Sequence, residues 1–130
     1  MGQDQDPQRH AKLLQVICQL HEWENQHLAL AQSQVGRYLY LNIAMQLQER
    51  RDGRSALLKG IYFNKELSER ALRYKIREFE NQGLIAFETN HADKRSKTIL
   101  PTETFTQHLD AHVAEFGRIL DQEFLIFPKK

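Results

Sequence analysis

Apolar residues recur along the first quarter of the chain with the period of an α-helix. Between about residues 8 and 32 no glycine or proline interrupts the pattern, and the stripe consists of Leu13, Ile17, Leu20, Trp23, His27 and Leu30. This spacing predicts an amphipathic helix. The polar residues 1–7 are predicted to form a flexible tail. A second helix is predicted from about Gly36 to Arg50, and its apolar residues cover most of its circumference, which indicates burial on several sides.

A short apolar run follows the second helix. It extends from Ala56 to Phe63 and comes directly after Ser55, a residue type that often caps the start of a helix. The pattern predicts a helix of about two turns. Residues 64–66 then predict a polar turn before the next element.

The segment from Ser68 to about Gln82 carries the clearest helix signals in the chain. Ser68 is a favourable N-cap, and Leu67 and Leu72 have the spacing of a hydrophobic staple across that cap. Gly83 stands where a left-handed residue commonly ends a helix. Start and stop signals therefore agree on the bounds of this helix.

The hydrophobic period changes after Gly83. Residues 84–89 and 95–100 read as two strands joined by the turn cluster 90–93, which predicts a β-hairpin. Pro101 and Thr102 are predicted to end the hairpin and start a last helix over residues 104–123. The apolar face of that helix is predicted to consist of Phe105, Leu109, Val113, Phe116 and Leu120. The predicted fold class is mainly α with a small β-hairpin, an α+β arrangement in one domain over residues 8–130.

Composition is that of a soluble globular protein, with 41% hydrophobic and 27% charged residues among 130. The polar N-terminus lacks the apolar segment of a signal peptide, and no apolar stretch reaches the roughly 18 residues of a membrane span. We therefore expect a cytoplasmic protein with no membrane partner. The net charge is only +1, but residues 49–100 contain 12 Lys and Arg against 8 Asp and Glu. The middle of the chain is thus the part expected to meet a polyanion.

The helix after Ser68 has two chemically different faces. On a helical wheel Leu72, Ile76 and Phe79 fall on one side, and the opposite side carries Arg70, Arg73, Tyr74 and Arg77. A helix fits the major groove of B-DNA, where Arg can donate two hydrogen bonds to one guanine, and the helix start at Ser68 favours phosphate. The alternative is a solvated basic face, held by ion pairs to Glu69 and Glu78.

The predicted hairpin adds a second group of basic side chains. Its predicted DNA contacts are His91, Lys94, Arg95 and Lys97. A long basic side chain at a hairpin tip can enter a narrow minor groove. The alternative is a solvated loop in which Asp93 caps the turn and pairs with Arg95. A basic helix directly followed by a basic hairpin favours double-stranded DNA as the partner.

From Val35 to Val113 the chain resembles the MarR family of winged helix-turn-helix transcriptional regulators. The resemblance is carried by LSERALRYKIREFENQGLI, which spans Leu67 to Ile85, and by HADKRSKTILPTE, which spans His91 to Glu103. It implies a winged helix-turn-helix over residues 35–103, between an N-terminal helix (8–34) and a C-terminal helix and tail (104–130) that serve dimerisation. It also implies that Arg95 reaches the minor groove while Asp93 supports the wing.

The resemblance further implies a homodimer that binds a palindromic operator as a repressor, with release by a small aromatic effector or by oxidation. If an effector cavity exists, we expect it among Trp23, Tyr38, Tyr40 and the short helix. Cys18, the single cysteine, is expected to be buried and inert. His108 and His112 have a metal-binding spacing, but no third ligand with matching spacing is evident, so a solvated or interface pair is expected.

Two further classes of function stay open. Motifs of phosphate-binding loops, nucleophile elbows and zinc proteases are absent from the sequence, so we expect neither an enzyme nor a cofactor nor a bound metal. The first alternative is a winged helix in a replication initiator or mobile-element protein. The second is a winged helix that contacts an acidic protein partner instead of DNA; steep salt dependence would distinguish DNA binding from it.

Overall fold

The computed structural model of this chain describes residues 6–50, 53–64, 66–88 and 97–124. Helices make up most of these residues. The chain divides into two compact units. One consists of Met1–Ala29 with Asp110–Lys130, and the other of Leu30–Leu109. Within the described residues, no helix combines the length and apolar character that crossing a membrane requires.

The first helix, α1, extends from Pro7 to His27. The Asp6 side chain caps its start by accepting from the backbone N–H groups of Gln8 and Arg9, at 3.0 and 3.3 Å. The prediction that this helix continues to about residue 32 was wrong, because a 3₁₀ turn over Ala29–Ala31 separates α1 from α2. The Ser33 side chain accepts from the Gly36 N–H at 2.9 Å and thereby starts a new helix, so the polar cap overrides the continuous apolar pattern.

Helix α1 and the part of α5 (Glu103–Phe124) from Asp110 onward supply the first unit, and the buried sides of the two helices differ in part from the predicted ones. On α1, Val16 is buried whereas Ile17 is 64% exposed. On α5, Ile119 is buried whereas Val113 and Phe116 are exposed. The predicted stripe residue Phe105 is fully buried, so the predicted stripes are correct in part. Because both helices carry apolar residues on more than one side, periodicity alone could not identify every buried position.

Two polar residues of this unit also depart from expectation. Cys18 is exposed, so the expectation of a buried thiol was wrong. His112 is buried and is not half of a solvated pair; its ring stacks on Trp23 with centroids 5.8 Å apart and planes inclined by 5°. The same Trp23 ring stacks on His27 at 4.9 Å.

The second unit contains α2 (Gln34–Glu49), β1 (Ala56–Leu57), α3 (Leu58–Ile61), α4 (Glu69–Asn81), β2 (Ile85–Glu88) and β3 (Thr98–Pro101). The strands form an antiparallel sheet in the order β1-β3-β2. Its core includes the fully buried Leu39, Ile43, Leu72, Phe79 and Ile99. The buried Tyr40 ring lies 5.6 Å from the Phe105 ring. The predicted class, mainly helical with a small antiparallel sheet, is confirmed.

The segment predicted as a two-turn helix over residues 56–63 is instead a short strand followed by one helical turn. Ala56 pairs with Ile99 and Leu57 with Thr98, so β1 adds a third strand beside the predicted hairpin. Ser55 does not cap a helix; its hydroxyl accepts from the Arg50 side chain at 3.1 Å. The strand depends on a partner about forty residues away in sequence, and a local pattern cannot reveal such a partner.

Three polar side chains of α2 hold this strand and the turn after it. Gln46 clamps Leu57 at both ends of its backbone: its Oε1 accepts from the Leu57 N–H at 2.8 Å, and its Nε2 donates to the Leu57 carbonyl at 3.2 Å. Asn42 donates to the Gly60 carbonyl at 3.3 Å, and the Tyr38 hydroxyl donates to the Ile61 carbonyl at 2.7 Å. The three side chains are four residues apart and lie on one side of α2. They supply hydrogen-bond partners for backbone groups of the short β1–α3 segment.

Candidate nucleic-acid interface

Helix α4 begins and ends as the sequence predicts. The Ser68 hydroxyl accepts from the Ala71 N–H at 3.0 Å. At the other end Gly83 has φ +76°, the Leu84 N–H donates to the Phe79 carbonyl at 2.9 Å, and the Gly83 N–H donates to the Glu80 carbonyl at 3.0 Å. This bond pair is a Schellman motif, and glycine adopts its left-handed conformation without strain.

The two faces of α4 lie as the helical wheel predicts. Leu72, Ile76 and Phe79 are buried and dock the helix on the core of its unit. The exposed side chains on the other face are Arg70, Arg73, Tyr74 and Arg77. Tyr74 is 69% exposed, although a tyrosine of a small domain usually buries much of its ring. The docked helix therefore presents three guanidinium groups and a phenol to solvent.

Ion pairs engage only part of this basic face. The Arg73 Nη2 atom lies 2.6 Å from Glu69 Oε1, with side chains 63% and 66% exposed. Glu78 pairs with Lys75 at 2.9 Å rather than with an arginine of the face. Among the residues that the structure describes, Arg70 and Arg77 have no carboxylate within ion-pair distance. The alternative of a face neutralised by Glu69 and Glu78 thus applies to Arg73 alone.

A two-stranded hairpin follows α4 directly. In it Ile85 pairs with Pro101 and Phe87 with Ile99. Thr102, directly after β3, joins the base of the hairpin to the end of α4. Its hydroxyl donates to the Gly83 carbonyl at 2.6 Å, and its N–H donates to the Leu84 carbonyl at 2.9 Å. The base of the hairpin is consequently held in register with the end of the arginine-bearing helix.

Of the four predicted hairpin contacts, only Lys97 belongs to the described residues. It is exposed immediately before β3, and its ammonium group lies 5.7 Å from the centre of the Phe87 ring. The other three, His91, Lys94 and Arg95, lie outside the described residues, as does Asp93. Their predicted contacts to DNA remain predictions.

An open cleft of about 530 Å³ lies beside α2 and α3. It is lined by Tyr38, Leu41, Asn42, Met45, Gln46, Glu49 and Gly60. The predicted cavity residue Tyr38 contributes to it, but Tyr40 does not: it is fully buried against Phe105. The sequence analysis named Tyr38 but not Asn42 or Gln46, although polar residues four apart on a mostly apolar helix indicate a shared polar side.

No protein-family model and no curated protein matches the chain. Solved structures do match. AbsC, a MarR family transcriptional regulator from Streptomyces coelicolor, is 18% identical with a TM-score of 0.54, over 98% of this chain and 85% of that one. Reduced AbfR bound to DNA is 16% identical with a TM-score of 0.53, over 94% and 76% of the two chains. The organohalide-sensing regulator RdhR in its 2,4-dichlorophenol-bound form is 13% identical with a TM-score of 0.54, over 98% and 73%.

These similarities extend over nearly the whole chain at low sequence identity, and they agree with the capped helix, the following hairpin and the third strand. At such identity a structural match establishes the fold. This chain has the winged-helix fold of the MarR family transcriptional regulators.

Proposed function

We propose that this protein is a MarR-like transcriptional regulator that binds a specific double-stranded DNA operator and is not an enzyme. The observation that carries the proposal is the α4 surface, where three arginines and a tyrosine project from a helix docked by Leu72, Ile76 and Phe79. The major groove admits such a helix, and arginine side chains supply both base and phosphate contacts. In this proposal Ser68 and the first turn approach a phosphate, and His91, Lys94, Arg95 and Lys97 contact the neighbouring groove.

The protein acts in this proposal as a homodimer on a palindromic operator, where it represses transcription. Support comes from apolar side chains left exposed on the two helices of the first unit. They are Leu14 and Ile17 on α1, and Val113 and Phe116 on α5. A second copy could cover these residues, and a two-fold dimer would present two α4 helices to two half-sites.

A small aromatic effector relieves repression in this proposal. The cleft beside α2 offers the exposed apolar side chains of Leu41 and Met45 next to the polar clamp on β1. A thermal-shift titration with 2,4-dichlorophenol should raise the unfolding temperature of wild type but not of Met45→Glu. An equal shift in both proteins would exclude this cleft as the site.

The DNA-binding proposal is tested by fluorescence anisotropy with the intergenic DNA upstream of the protein's own gene, at two salt concentrations. Wild type should bind tightly and lose affinity steeply with salt, because arginine contacts release counterions from DNA. The double variant Arg73→Ala with Arg95→Ala should lose most of this affinity. Lys12→Ala with Arg118→Ala removes the same charge from the first unit and serves as the control.

Two results would count against this proposal. One is the absence of salt-sensitive binding to both this DNA and a random-sequence duplex pool, which would favour a winged helix that contacts protein. The other is equal loss of affinity in the test and control variants, because that would assign the effect to net charge rather than to the α4 face. Binding to repeated origin sites instead of one promoter palindrome would point to a replication initiator.

A further inference from the structure

The first turn of α4 carries an acidic residue directly beside the basic face. Glu69 is the first residue of the helix, and its Oε1 atom lies 2.6 Å from Nη2 of Arg73, one turn further along. Glu69 and Arg73 are about 40° apart around the helix and about 6 Å apart along it. Both side chains are more than 60% exposed. Their polar ends therefore meet at one point on the surface that α4 presents.

The pair leaves most of its hydrogen-bonding capacity open to a ligand. A carboxylate accepts about four hydrogen bonds and a guanidinium donates five, so one mutual contact uses a small part of either group. Nothing in the core holds the two side chains together, since both lie in solvent. An exposed pair of this kind contributes little to the stability of the fold, because water screens both charges. The pair therefore matters little for folding. A bound partner would instead contact the pattern of hydrogen-bond donors and acceptors that the two side chains present.

That pattern is complementary to one base pair. In the major groove a C·G pair presents the N4 amino donor of cytosine beside the O6 and N7 acceptors of guanine. The Glu69–Arg73 pair presents an acceptor beside two or more donors. The carboxylate can accept from cytosine N4 while the guanidinium donates to guanine O6 and N7. In a T·A pair the thymine O4 acceptor takes the place of cytosine N4 and leaves the carboxylate without a donor. In an A·T pair adenine N6 still donates, but adenine N7 places an acceptor beside the carboxylate, and the thymine methyl group replaces guanine N7 as a partner of the guanidinium.

We propose that Glu69 and Arg73 act as one unit that reads a C·G base pair in each operator half-site, with Glu69 as a specificity-determining residue. This inference rests on the proposed DNA-binding function and deepens it. Arg73 supplies attraction to DNA, whereas Glu69 has the charge of the phosphates and weakens general attraction. Glu69 thus favours selectivity over affinity.

The test has two steps. Wild type, Glu69→Gln and Glu80→Gln each select bound duplexes from a random-sequence pool. Fluorescence anisotropy then measures the affinity of each protein for the selected duplex and for duplexes in which the candidate C·G pair is replaced. Glu80 is an exposed carboxylate on the same helix, three turns away, so its variant matches the charge change. Wild type should prefer C·G at one position of each half-site by about tenfold or more, within the range for a good bidentate contact.

Glu69→Gln should reduce this preference at least fivefold and allow adenine on the cytosine strand, because a carboxamide pairs with adenine N6 and N7. Glu80→Gln should select the same sequences as wild type. The inference is overturned if Glu69→Gln selects the wild-type sequence, or if it raises affinity for every duplex by the same factor. Absence of salt-sensitive binding by wild type would instead reject the underlying DNA-binding function, so the two failures are distinguishable.

Discussion

The Nε2 atom of His112 lies 2.7 Å from Oε2 of Glu24, although the two residues are 88 positions apart in the chain. Both side chains are nearly buried, with 11% and 8% exposed. The contact joins α1 to α5 inside the first unit, and the Trp23 ring covers the imidazole. A buried carboxylate requires hydrogen-bond donors, so this contact fixes how the two helices pack.

Removing either partner of this contact should destabilise the protein. We expect His112→Leu to lower the free energy of unfolding by about 1.5–3 kcal/mol, the usual value for a hydrogen bond to a charged group. Glu24→Leu should cost a similar amount, and the double variant should cost clearly less than the two single variants together. Urea unfolding of the four proteins measures this coupling. Additive effects would show that the two side chains do not stabilise one another.

The clamp of Gln46 on Leu57 predicts a large effect from an uncharged substitution. Gln46→Leu removes two hydrogen bonds to the backbone of β1 and should lower the free energy of unfolding by about 2–3 kcal/mol. Gln48→Leu, an exposed position of the same helix, is the matched control and should change stability by less than about 0.5 kcal/mol. Chemical denaturation checks both. Similar effects at the two positions would contradict the clamp.

The Ser68 cap allows stability to be separated from DNA binding. Ser68→Ala removes the bond to the Ala71 N–H and should cost about 1 kcal/mol of stability. Ser68→Asp retains an acceptor at the helix start and should keep near wild-type stability, but its charge should repel a phosphate and weaken DNA binding. Thermal unfolding and anisotropy measure the two properties. Unchanged DNA affinity in Ser68→Asp would argue that no phosphate approaches this end of α4.

The proposed dimerisation through the first unit predicts a change of mass in solution when its exposed apolar residues are altered. Ile17→Asp should shift the protein from dimer toward monomer, because a carboxylate would be buried in an apolar interface. Gln15→Asp introduces the same group at an exposed polar position of α1 and should leave the dimer intact. Light scattering after size-exclusion chromatography gives both masses. A monomeric wild type, or a dimer that persists in Ile17→Asp, would exclude an interface centred on Ile17.

The sequence alone predicted α4, because its signals are local. Ser68 caps the first turn, Gly83 supplies the left-handed residue at the end, and Leu72, Ile76 and Phe79 recur at the helical period between them. The same period placed the arginines on the opposite face. The hairpin was also predicted, since both of its strands are close together in the chain.

Tertiary structure decided the features that depend on distant partners. Residues 56 and 57 are a strand because β3 pairs with them, and the buried Glu24 contacts His112 of α5, which lies 88 positions away in the chain. Local periodicity could not choose between the apolar sides of α1, and it assigned Ile17 to the core although the folded chain leaves it exposed. Propensity and capping act within a few residues of sequence, whereas burial and strand pairing depend on which segments pack together in space.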